Sequence, residues 1–245
     1  MDLAERARNL VTLATQSGIQ VRLLGGVALY ILAPSARNHP VLKRGYKDID
    51  CVVPRRDGGK LAPVFKAAGF EPDKRFNALH GETRLLFTDQ NNPELQVDVF
   101  VGLFEQCHKL DILSASEHMP FTITPTQLLL TKLQIVQLNE KDVRDLVTML
   151  LDWPLGEGHS GIDQDALARI FGTDWGLYTT SWDTLEKLKG HASDYLSENE
   201  QGVVDRRIEE IQGLMAACPK AMKFRVRDRI GRKVIWYQIP EEVNR

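Results

Sequence analysis

Three aspartates in this chain lie among apolar residues that are typical of buried strands. Asp48 and Asp50 stand two positions apart in KDIDCVV, and Asp98 lies within LQVDVFV. Residues i and i+2 of a strand point to the same face, so Asp48 and Asp50 are predicted to project side by side. Two carboxylates that close repel each other unless water solvates both at the rim of a sheet or a cation lies between them. Both interpretations are open for this pair alone.

The surroundings of Asp98 favour the interpretation with a cation. Alternation places Asp98 on the face opposite Val97 and Val99, and a carboxylate between strand valines costs free energy unless it is paired or bound to a metal. Carboxylates on neighbouring strands would offer the hard oxygen ligands that Mg²⁺ prefers. The sequence therefore predicts a magnesium site formed by Asp48, Asp50 and Asp98.

A glycine pair precedes these acids in the chain. Gly25 and Gly26 follow the apolar run IQVRLL and open the apolar segment VALYILA. Glycines at a strand-to-helix turn let the backbone approach a phosphate, and the helix start offers N–H groups at the positive end of its dipole. A phosphate site beside a carboxylate metal site is typical of metal-assisted phosphoryl or nucleotidyl transfer.

The elements that must position these residues follow from periodicity and turn residues. Helices are predicted at 2–16, 25–33 and 58–70, a loop at 33–46, and strands at 19–24, 47–54, 84–88 and 95–102. This order predicts an α/β (α+β) fold in which a mixed sheet with flanking helices fills residues 1–120.

The rest of the chain has a different pattern. Thr124-Pro125-Thr126-Gln127 has the form of a helix start, and a helical domain is predicted over 121–218. The final segment, 219–245, is basic and alternates with period two, which predicts a β-hairpin-like tail. Its basic residues beside Trp236 and Tyr237 suit an RNA backbone, or they protect an edge strand from aggregation.

The glycine pair, the Asp48-Ile49-Asp50 strand and Asp98, in this order, resemble the nucleotidyltransferase superfamily that includes DNA polymerase beta. LLLTKLQIVQLNEKDVRDL (128–146) is similar to the helical segment of AbiEii-type toxins and related bacterial nucleotidyltransferases. The 21 residues between Gly26 and Asp48 form a longer gap than is usual in that superfamily. The loop at 33–46 would then be an insertion near the mouth of the active site.

The resemblance implies roles for particular residues. Asp48 and Asp50 would hold two Mg²⁺ ions that bridge the triphosphate of an NTP, and Asp98 would share one ion and help deprotonate an acceptor hydroxyl. Gly25 and Gly26 would contact the β- and γ-phosphates. Lys132 would be the cationic partner of the triphosphate, unless it simply reaches solvent from an apolar helix. The residues that match the helix motif after Lys132, without an assigned role, are Lys141, Asp142 and Asp145.

These features predict a Mg-dependent nucleotidyltransferase that moves an NMP from an NTP to a hydroxyl. The acceptor would be RNA such as tRNA, a protein or a small molecule. The AbiEii-type resemblance favours a toxin, for which an antitoxin protein would be a partner, or a stress-related transferase. A catalytically inactive module that binds nucleotide, RNA or a protein partner is the alternative, and it gains support if Asp98 is buried or paired away from Asp48 and Asp50. An unrelated Mg²⁺ phosphohydrolase is a third interpretation, for which no nucleophile or general base is identified.

The bulk composition excludes several other classes. The chain has 245 residues, 43% of them hydrophobic, and a net charge of −2, so any attraction to nucleic acid or membrane must be local. Its three cysteines form no C-x-x-C pair, which argues against a zinc site or a disulfide framework and predicts a cytoplasmic protein. No signal peptide and no membrane span are expected, because the N-terminus is charged and no apolar run is long enough.

Overall fold

The structure, a computed structural model, describes residues 2–158 and 161–239. The strands in the described residues are β1 (Arg22–Leu24), β2 (Asp48–Val53), β3 (Phe70–Pro72), β4 (Arg84–Asp89), β5 (Gln96–Val101), β6 (Phe104–Glu105), β7 (Lys109–Leu110), β8 (Leu155–Gly156) and β9 (Ile162–Asp163). The α-helices are α1 (Leu3–Gln16), α2 (Gly25–Leu32), α3 (Pro34–Asn38), α4 (Arg55–Gly58), α5 (Leu61–Ala67), α6 (Lys74–His80), α7 (Pro125–Leu133), α8 (Glu140–Asp152), α9 (Gln164–Thr173), α10 (Trp175–Lys189), α11 (Glu198–Ala217) and α12 (Met222–Ile230).

The chain divides into two compact units that alternate along the sequence. Unit 1 comprises the described residues of Met1–Leu32, Arg44–Glu105 and Lys109–Leu128. Unit 2 comprises the described residues of Ala33–Lys43, Gln106–His108 and Leu129–Arg245. Two short segments that lie early in the sequence therefore belong to the C-terminal unit. The three-part division at 120 and 218 stays a prediction about domains.

Unit 1 is built on a five-stranded mixed sheet with the strand order β1-β2-β5-β4-β3. Strands β2 and β5 pair in parallel, and the other neighbours pair antiparallel. Helix α2 packs against β2, α5 against β3 and α6 against β4. This arrangement confirms the predicted mixed α/β sheet with flanking helices, and it adds β3 and α6, which the sequence interpretation lacked.

Helix α1 forms where the sequence predicted it. Its buried side chains recur at helical spacing, and Asp2 with Glu5 forms a capping box at its start. The chain ends this helix before Gly18, which has a φ of +71°. The buried positions are Ala4, Ala7, Leu10, Val11 and Ala14.

Unit 2 is mainly helical, with α8 to α12 around an apolar core. The predicted face of α8 is buried, including Leu146, Val147 and Leu150. The segment predicted as a loop contains the short helix α3, which packs on α8. The Ser35 hydroxyl donates to Asp152 over 2.6 Å, which ties α3 to the last residue of α8.

The predicted β-hairpin-like tail does not form in the described residues, because Met222–Ile230 is the helix α12. Phe224 is buried against Tyr178, whereas Val226 is 53% exposed, so the period-two alternation does not match burial. Methionine, lysine and arginine have high helix propensity, which outweighs the alternation. Gly231, with a φ of +61°, ends the helix. Residues 240–245 of the predicted tail lie outside the described residues.

Within residues 2–158 and 161–239, no helix is both long enough and apolar enough to cross a lipid bilayer.

Candidate active site

The three predicted acids lie on one face of the sheet in unit 1. In the parallel β2–β5 pair, Asp50 stands opposite Asp98 and Asp48 stands opposite Gln96. Register partners on adjacent strands project to the same side, so the Asp50 and Asp98 side chains are neighbours. Asp48 and Asp50 are half-buried, whereas Asp98 is only 3% exposed. The structure therefore brings together residues that lie 48 positions apart in the sequence.

Cys51 lies on the opposite face, as alternation predicts, and stands beside Val99. The thiol is completely buried, and this burial, with smaller contributions from the charges of Asp50 and Asp98, raises the pKa of Cys51 well above its ordinary value. A neutral buried thiol is a core side chain rather than a ligand or nucleophile.

Gly25 forms the junction between β1 and helix α2, directly beside Asp50. Its φ is +66°, and a Cβ added there would overlap the Asp50 carboxylate. A side chain at this position would thus be disfavoured twice, by backbone conformation and by space. The absence of a side chain lets the carboxylate lie at the start of α2, where the helix dipole favours negative charge.

Gly26 is crowded by a different pair of residues, which sequence reasoning did not assign to the site. A Cβ added to Gly26 would overlap the Tyr46 ring and lie 2.9 Å from Nη2 of Arg44. The Arg44 guanidinium carbon lies 4.3 Å from the centroid of the Tyr46 ring, within cation–π range. Arg44 therefore places a positive charge beside the predicted phosphate-binding helix start.

A cavity of about 250 Å³ adjoins this helix start within unit 1. It is lined by Val27 and Tyr30 of α2, by Asp2 and the first two residues of α1, and by residues 44–46. The rings of Tyr30 and Tyr46 meet edge to face, with their centroids 5.9 Å apart. The lining combines aromatic surface with one basic residue, Arg44, and one acidic residue, Asp2.

Asp98 forms an ion pair with Arg84, a residue that the sequence analysis did not assign to the site. Nε of Arg84 donates to Oδ1 of Asp98 over 2.7 Å, and Nη2 of Arg84 donates to Oδ2. In the antiparallel β4–β5 pair, Arg84 stands opposite Phe100 and Leu86 stands opposite Asp98. Arg84 thus reaches Asp98 as a diagonal neighbour on the same face of the sheet.

The electrostatics of this pair are those of a desolvated ion pair. The hydrogen bond to Asp98 raises the pKa of Arg84; burial opposes this rise, and the charges of Asp98 and Asp50 add to it. The guanidinium carbon also lies 5.3 Å from the centroid of the Phe100 ring. The alternation in RLLF could have identified Arg84, because it puts Phe87 in the core and Arg84 on the face of the acids.

The acids fit a divalent cation in part. Asp48 and Asp50 offer carboxylate oxygens on one face beside Gly25, and this is a donor set that suits Mg²⁺. Asp98 differs from these two residues because each of its oxygens accepts a hydrogen bond from Arg84, so a metal ion there would share the carboxylate with the guanidinium. No group of three or more His, Cys, Asp or Glu side chains arranged to hold a metal ion occurs in the part of the chain that the structure describes.

Lys132, the predicted cation for the triphosphate, forms ion pairs within unit 2. Its Nζ lies 2.8 Å from Oδ1 of Asp142 and 3.0 Å from Oδ2 of Asp145. Burial lowers the pKa of Lys132, but the charges of Asp145 and Asp142 and the hydrogen bonds to them outweigh burial and raise it. Lys141 is exposed. Of the residues that match the helix motif, Asp142 and Asp145 thus form a buried cluster with Lys132, and Lys141 does not belong to it.

Several residues of the basic tail also have partners within unit 2. Arg232 donates two hydrogen bonds of 2.7 Å to Asp183, and Arg227 donates to the carbonyls of Gly231 and Val234. The indole of Trp236 donates to Thr180 over 3.0 Å. These contacts hold the tail against α10, and they engage part of the surface that was predicted to contact RNA.

The chain matches no known family model and no curated protein. Among solved structures it is similar to the antibiotic-resistance factor ANT(2'')-Ia, with a TM-score of 0.41 and 14% identity, over 60% of this chain and 82% of that one. It is also similar to an antigenic nucleotidyltransferase-like protein from Paracoccidioides brasiliensis, with a TM-score of 0.39 and 13% identity, over 89% of this chain and 95% of that one. Neither likeness assigns an activity to this chain, and the AbiEii-type part of the resemblance stays a prediction.

Proposed function

We propose that this chain is a nucleotidyltransferase that moves a nucleoside monophosphate from an NTP to a hydroxyl group. The observation that carries the proposal is the parallel β2–β5 register, which places Asp50 beside Asp98, with Asp48 on the same face. Gly25 brings the start of α2 against Asp50. Carboxylates next to a helix start suit a reaction in which a metal-bound triphosphate must be held and oriented.

In the proposed reaction, each residue of the site would have a separate role. Asp48 and Asp50 would hold Mg²⁺, which when bound would supply positive charge to the phosphates. The N–H groups at the start of α2 would orient the β- and γ-phosphates. Asp98 would lie next to this site as the candidate acceptor of the proton from the attacking hydroxyl.

Arg44 takes the role of triphosphate cation in this proposal. It lies beside Gly26, in the same unit as the acids, and stacking on Tyr46 restrains its guanidinium. An arginine can donate two hydrogen bonds to one phosphate, which suits this position. The earlier candidate, Lys132, already compensates two buried carboxylates in unit 2.

The acceptor hydroxyl is open among RNA, protein and small molecules. The exposed basic residues of α12, among them Lys223, Arg225 and Arg229, favour a polyanion. Arg227, Arg232 and Trp236 already form hydrogen bonds within the chain, which reduces the basic surface available to a polyanion. A toxin role with an antitoxin partner rests on the AbiEii-type resemblance alone.

One observation favours the second candidate function, a nucleotide-binding module without catalysis. Asp98 is buried, and Arg84 occupies both of its carboxylate oxygens. A carboxylate held in this way contributes to the fold whether or not a reaction occurs. Both candidate functions require nucleotide binding, but only the nucleotidyltransferase transfers an NMP to an acceptor.

The first experiment is isothermal titration with each of the four NTPs in the presence of Mg²⁺. We expect wild type to bind at least one NTP and the Asp48→Asn/Asp50→Asn variant to lose that binding. The Glu94→Gln/Glu117→Gln variant removes the same charge from exposed positions and should bind like wild type. If well-folded wild type binds no NTP, both candidates are wrong.

The second experiment asks whether bound nucleotide is transferred. The NTP that binds, radiolabelled on its α-phosphate, is incubated separately with an RNA pool, with the chain itself and with an aminoglycoside. Incorporation of label that depends on Asp48 and Asp50 supports the transferase. Tight NTP binding without incorporation into any acceptor favours the module.

A further inference from the structure

Helix α12 of unit 2 carries an exposed apolar stripe. Met222, Val226 and Ile230 stand four residues apart, so they line one face of the helix. Their side chains remain in contact with water, at 74%, 53% and 44% exposure. Phe224 lies on the opposite face and is buried against Tyr178. The helix therefore uses its inner face for the core of unit 2 and leaves an apolar outer face uncovered.

Contacts with α10 fix the orientation of this stripe. The Arg227 guanidinium carbon lies 4.4 Å from the centroid of the Trp175 ring. Asp228, the one acidic residue of the helix, accepts a hydrogen bond of 2.7 Å from the Trp175 indole. Arg227 and Asp228 flank Phe224 on the helix surface, so all three hold the same inner face. The apolar stripe is thus preformed, and turning it toward the core would break these contacts.

Basic residues lie along both edges of the stripe. Arg225 and Arg229 lie along one edge, whereas Lys223 lies along the other. All three are exposed, and so is Lys233 just beyond the helix. Exposed apolar patches with a polar rim mark sites of protein or membrane interaction. The cations at this rim select a partner with negative charge.

We propose that α12 binds the surface of an anionic lipid membrane. The helix lies parallel to the surface, with the apolar stripe at the boundary of the acyl chains and the flanking cations at the level of the lipid phosphates. The net charge of −2 gives the whole chain no attraction to such a surface, so the attraction comes from these local cations. A deformable lipid surface suits a stripe that protrudes from a convex helix.

Other occupants fit this face less well. A second copy would place the same basic rim against itself, and like charges repel. The stripe spans about 12 Å of helix, and three side chains supply only a part of the roughly 800 Å² per partner that a stable protein–protein interface buries. RNA phosphates would attract the cations but would leave the apolar stripe without a role.

The test is cosedimentation of the full chain with lipid vesicles in the absence of nucleotide. One set of vesicles contains equal parts of phosphatidylglycerol and phosphatidylcholine, and the other contains phosphatidylcholine alone. We expect wild type to partition onto the anionic vesicles about tenfold more strongly, or better, than onto the neutral ones. The Lys223→Gln/Arg225→Gln/Arg229→Gln variant should lose this preference, because each cation contributes about fivefold.

A second variant removes the apolar stripe and keeps every charge. Met222→Gln/Val226→Gln/Ile230→Gln should weaken partitioning onto anionic vesicles by about tenfold, because binding also scales with the apolar area that is buried. If this variant loses helix by circular dichroism, Met222→Gln alone, at the most exposed position, takes its place and should weaken partitioning about threefold. The matched control is Leu79→Gln, at a position that is 71% exposed and outside α12, and it should bind like wild type.

The control for the cations is Arg56→Gln/Lys74→Gln/Arg75→Gln, which removes three exposed positive charges outside α12 and should keep wild-type binding. The proposal is wrong if wild type binds neither set of vesicles or binds both equally. It is also wrong if the apolar variant binds like wild type, which would indicate attraction by charge alone.

Two further results would assign the surface to another occupant and overturn the proposal. Without vesicle binding, RNA binding that depends on the three cations would assign it to RNA. A dimer in sedimentation velocity that the apolar variant disperses would assign it to a second copy. Because no nucleotide is present, these results do not depend on NMP transfer.

Discussion

At the scale of single residues, the conformation of Gly25 affects the candidate site, because Gly25 lies against the Asp50 carboxylate. Gly18 and Gly25 both have a positive φ, of +71° and +66°, but the two differ in their surroundings. No atom lies within 4 Å of a Cβ built at Gly18, whereas one built at Gly25 overlaps Asp50. The comparison separates the conformational cost of a side chain from the cost of displacing the carboxylate.

We expect Gly18→Ala to lower the free energy of unfolding by about 1 kcal/mol, the cost of the left-handed conformation. Gly25→Ala should cost a further ~1–3 kcal/mol, because it also forces Asp50 to move. Chemical denaturation of both variants measures the difference. Equal losses would show that the Asp50 side chain moves aside without cost, and that Gly25 does not position it.

Arg44 is the second residue whose role can be measured on its own. If it contacts the triphosphate, Arg44→Gln should weaken NTP binding about tenfold, the equivalent of roughly 1.4 kcal/mol and of one charge-assisted hydrogen bond. Titration with the NTP that wild type binds provides the measurement. Arg56→Gln is the matched control, because the Arg56 side chain is 76% exposed and lies near Asp57 rather than the acids. An unchanged affinity in Arg44→Gln would remove Arg44 from the site.

At the scale of elements, the ion pairs of Lys132 connect helix α7 to helix α8. The Asn139 side chain accepts a hydrogen bond from the Asp142 backbone, and the Asp142 side chain accepts one from the Asn139 backbone. Asp142 thus serves both the cap of α8 and the ion pair with Lys132. These contacts give Lys132, Asn139, Asp142 and Asp145 structural roles in ion pairing and helix capping within unit 2.

Lys132→Met should destabilise the fold by about 3 kcal/mol, because it removes the cation that the buried carboxylates of Asp142 and Asp145 share. Additional substitution of both aspartates by asparagine should restore most of the lost free energy of unfolding. Lys141→Met, at an exposed position, is the control and should change the stability little. Thermal unfolding distinguishes this result from a purely nucleotide-binding role, in which Lys132→Met would keep wild-type stability and lose NTP affinity.

At the scale of the whole molecule, each of the two units is built from segments that are not contiguous in the sequence. Residues 33–43 belong to unit 2, where His39 lies 3.3 Å from Glu200 and Ser35 bonds to Asp152. Beyond the predicted boundary at 120, the backbone of Leu23 in β1 bonds to Phe121 and Ile123. A fragment that ends at residue 120 would therefore lack Glu200 and Asp152, the partners of residues 33–43. It would also lack Phe121 and Ile123, the partners of Leu23.

We expect the fragment 1–120 to lack a cooperative unfolding transition. A fragment that ends at 128, with residues 33–43 replaced by a glycine-serine linker of equal length, should unfold cooperatively. It retains the bonds of Leu23 and omits the longer of its two unit 2 segments, so that only residues 106–108 of that unit remain. Circular dichroism during heating compares the two fragments. Cooperative unfolding of 1–120 would instead support the domain boundary predicted from the sequence.

Local pattern alone determined the elements that carry the candidate site. Alternation placed Asp48 and Asp50 on one face and Cys51 on the other, and the glycine pair marked the junction between β1 and α2. Helical spacing predicted the buried faces of α1 and α8. These features depend on neighbours in the sequence, so they could be predicted without the fold.

Only the tertiary structure decided which side chains meet. The parallel register that sets Asp50 beside Asp98, and the diagonal reach of Arg84 to Asp98, depend on strand pairing over long sequence separations. The tail shows the same limit, since burial of Phe224 against Tyr178 favours a helix where alternation predicted strands. Pairing and burial are set by packing of the whole chain, and a local pattern does not contain that information.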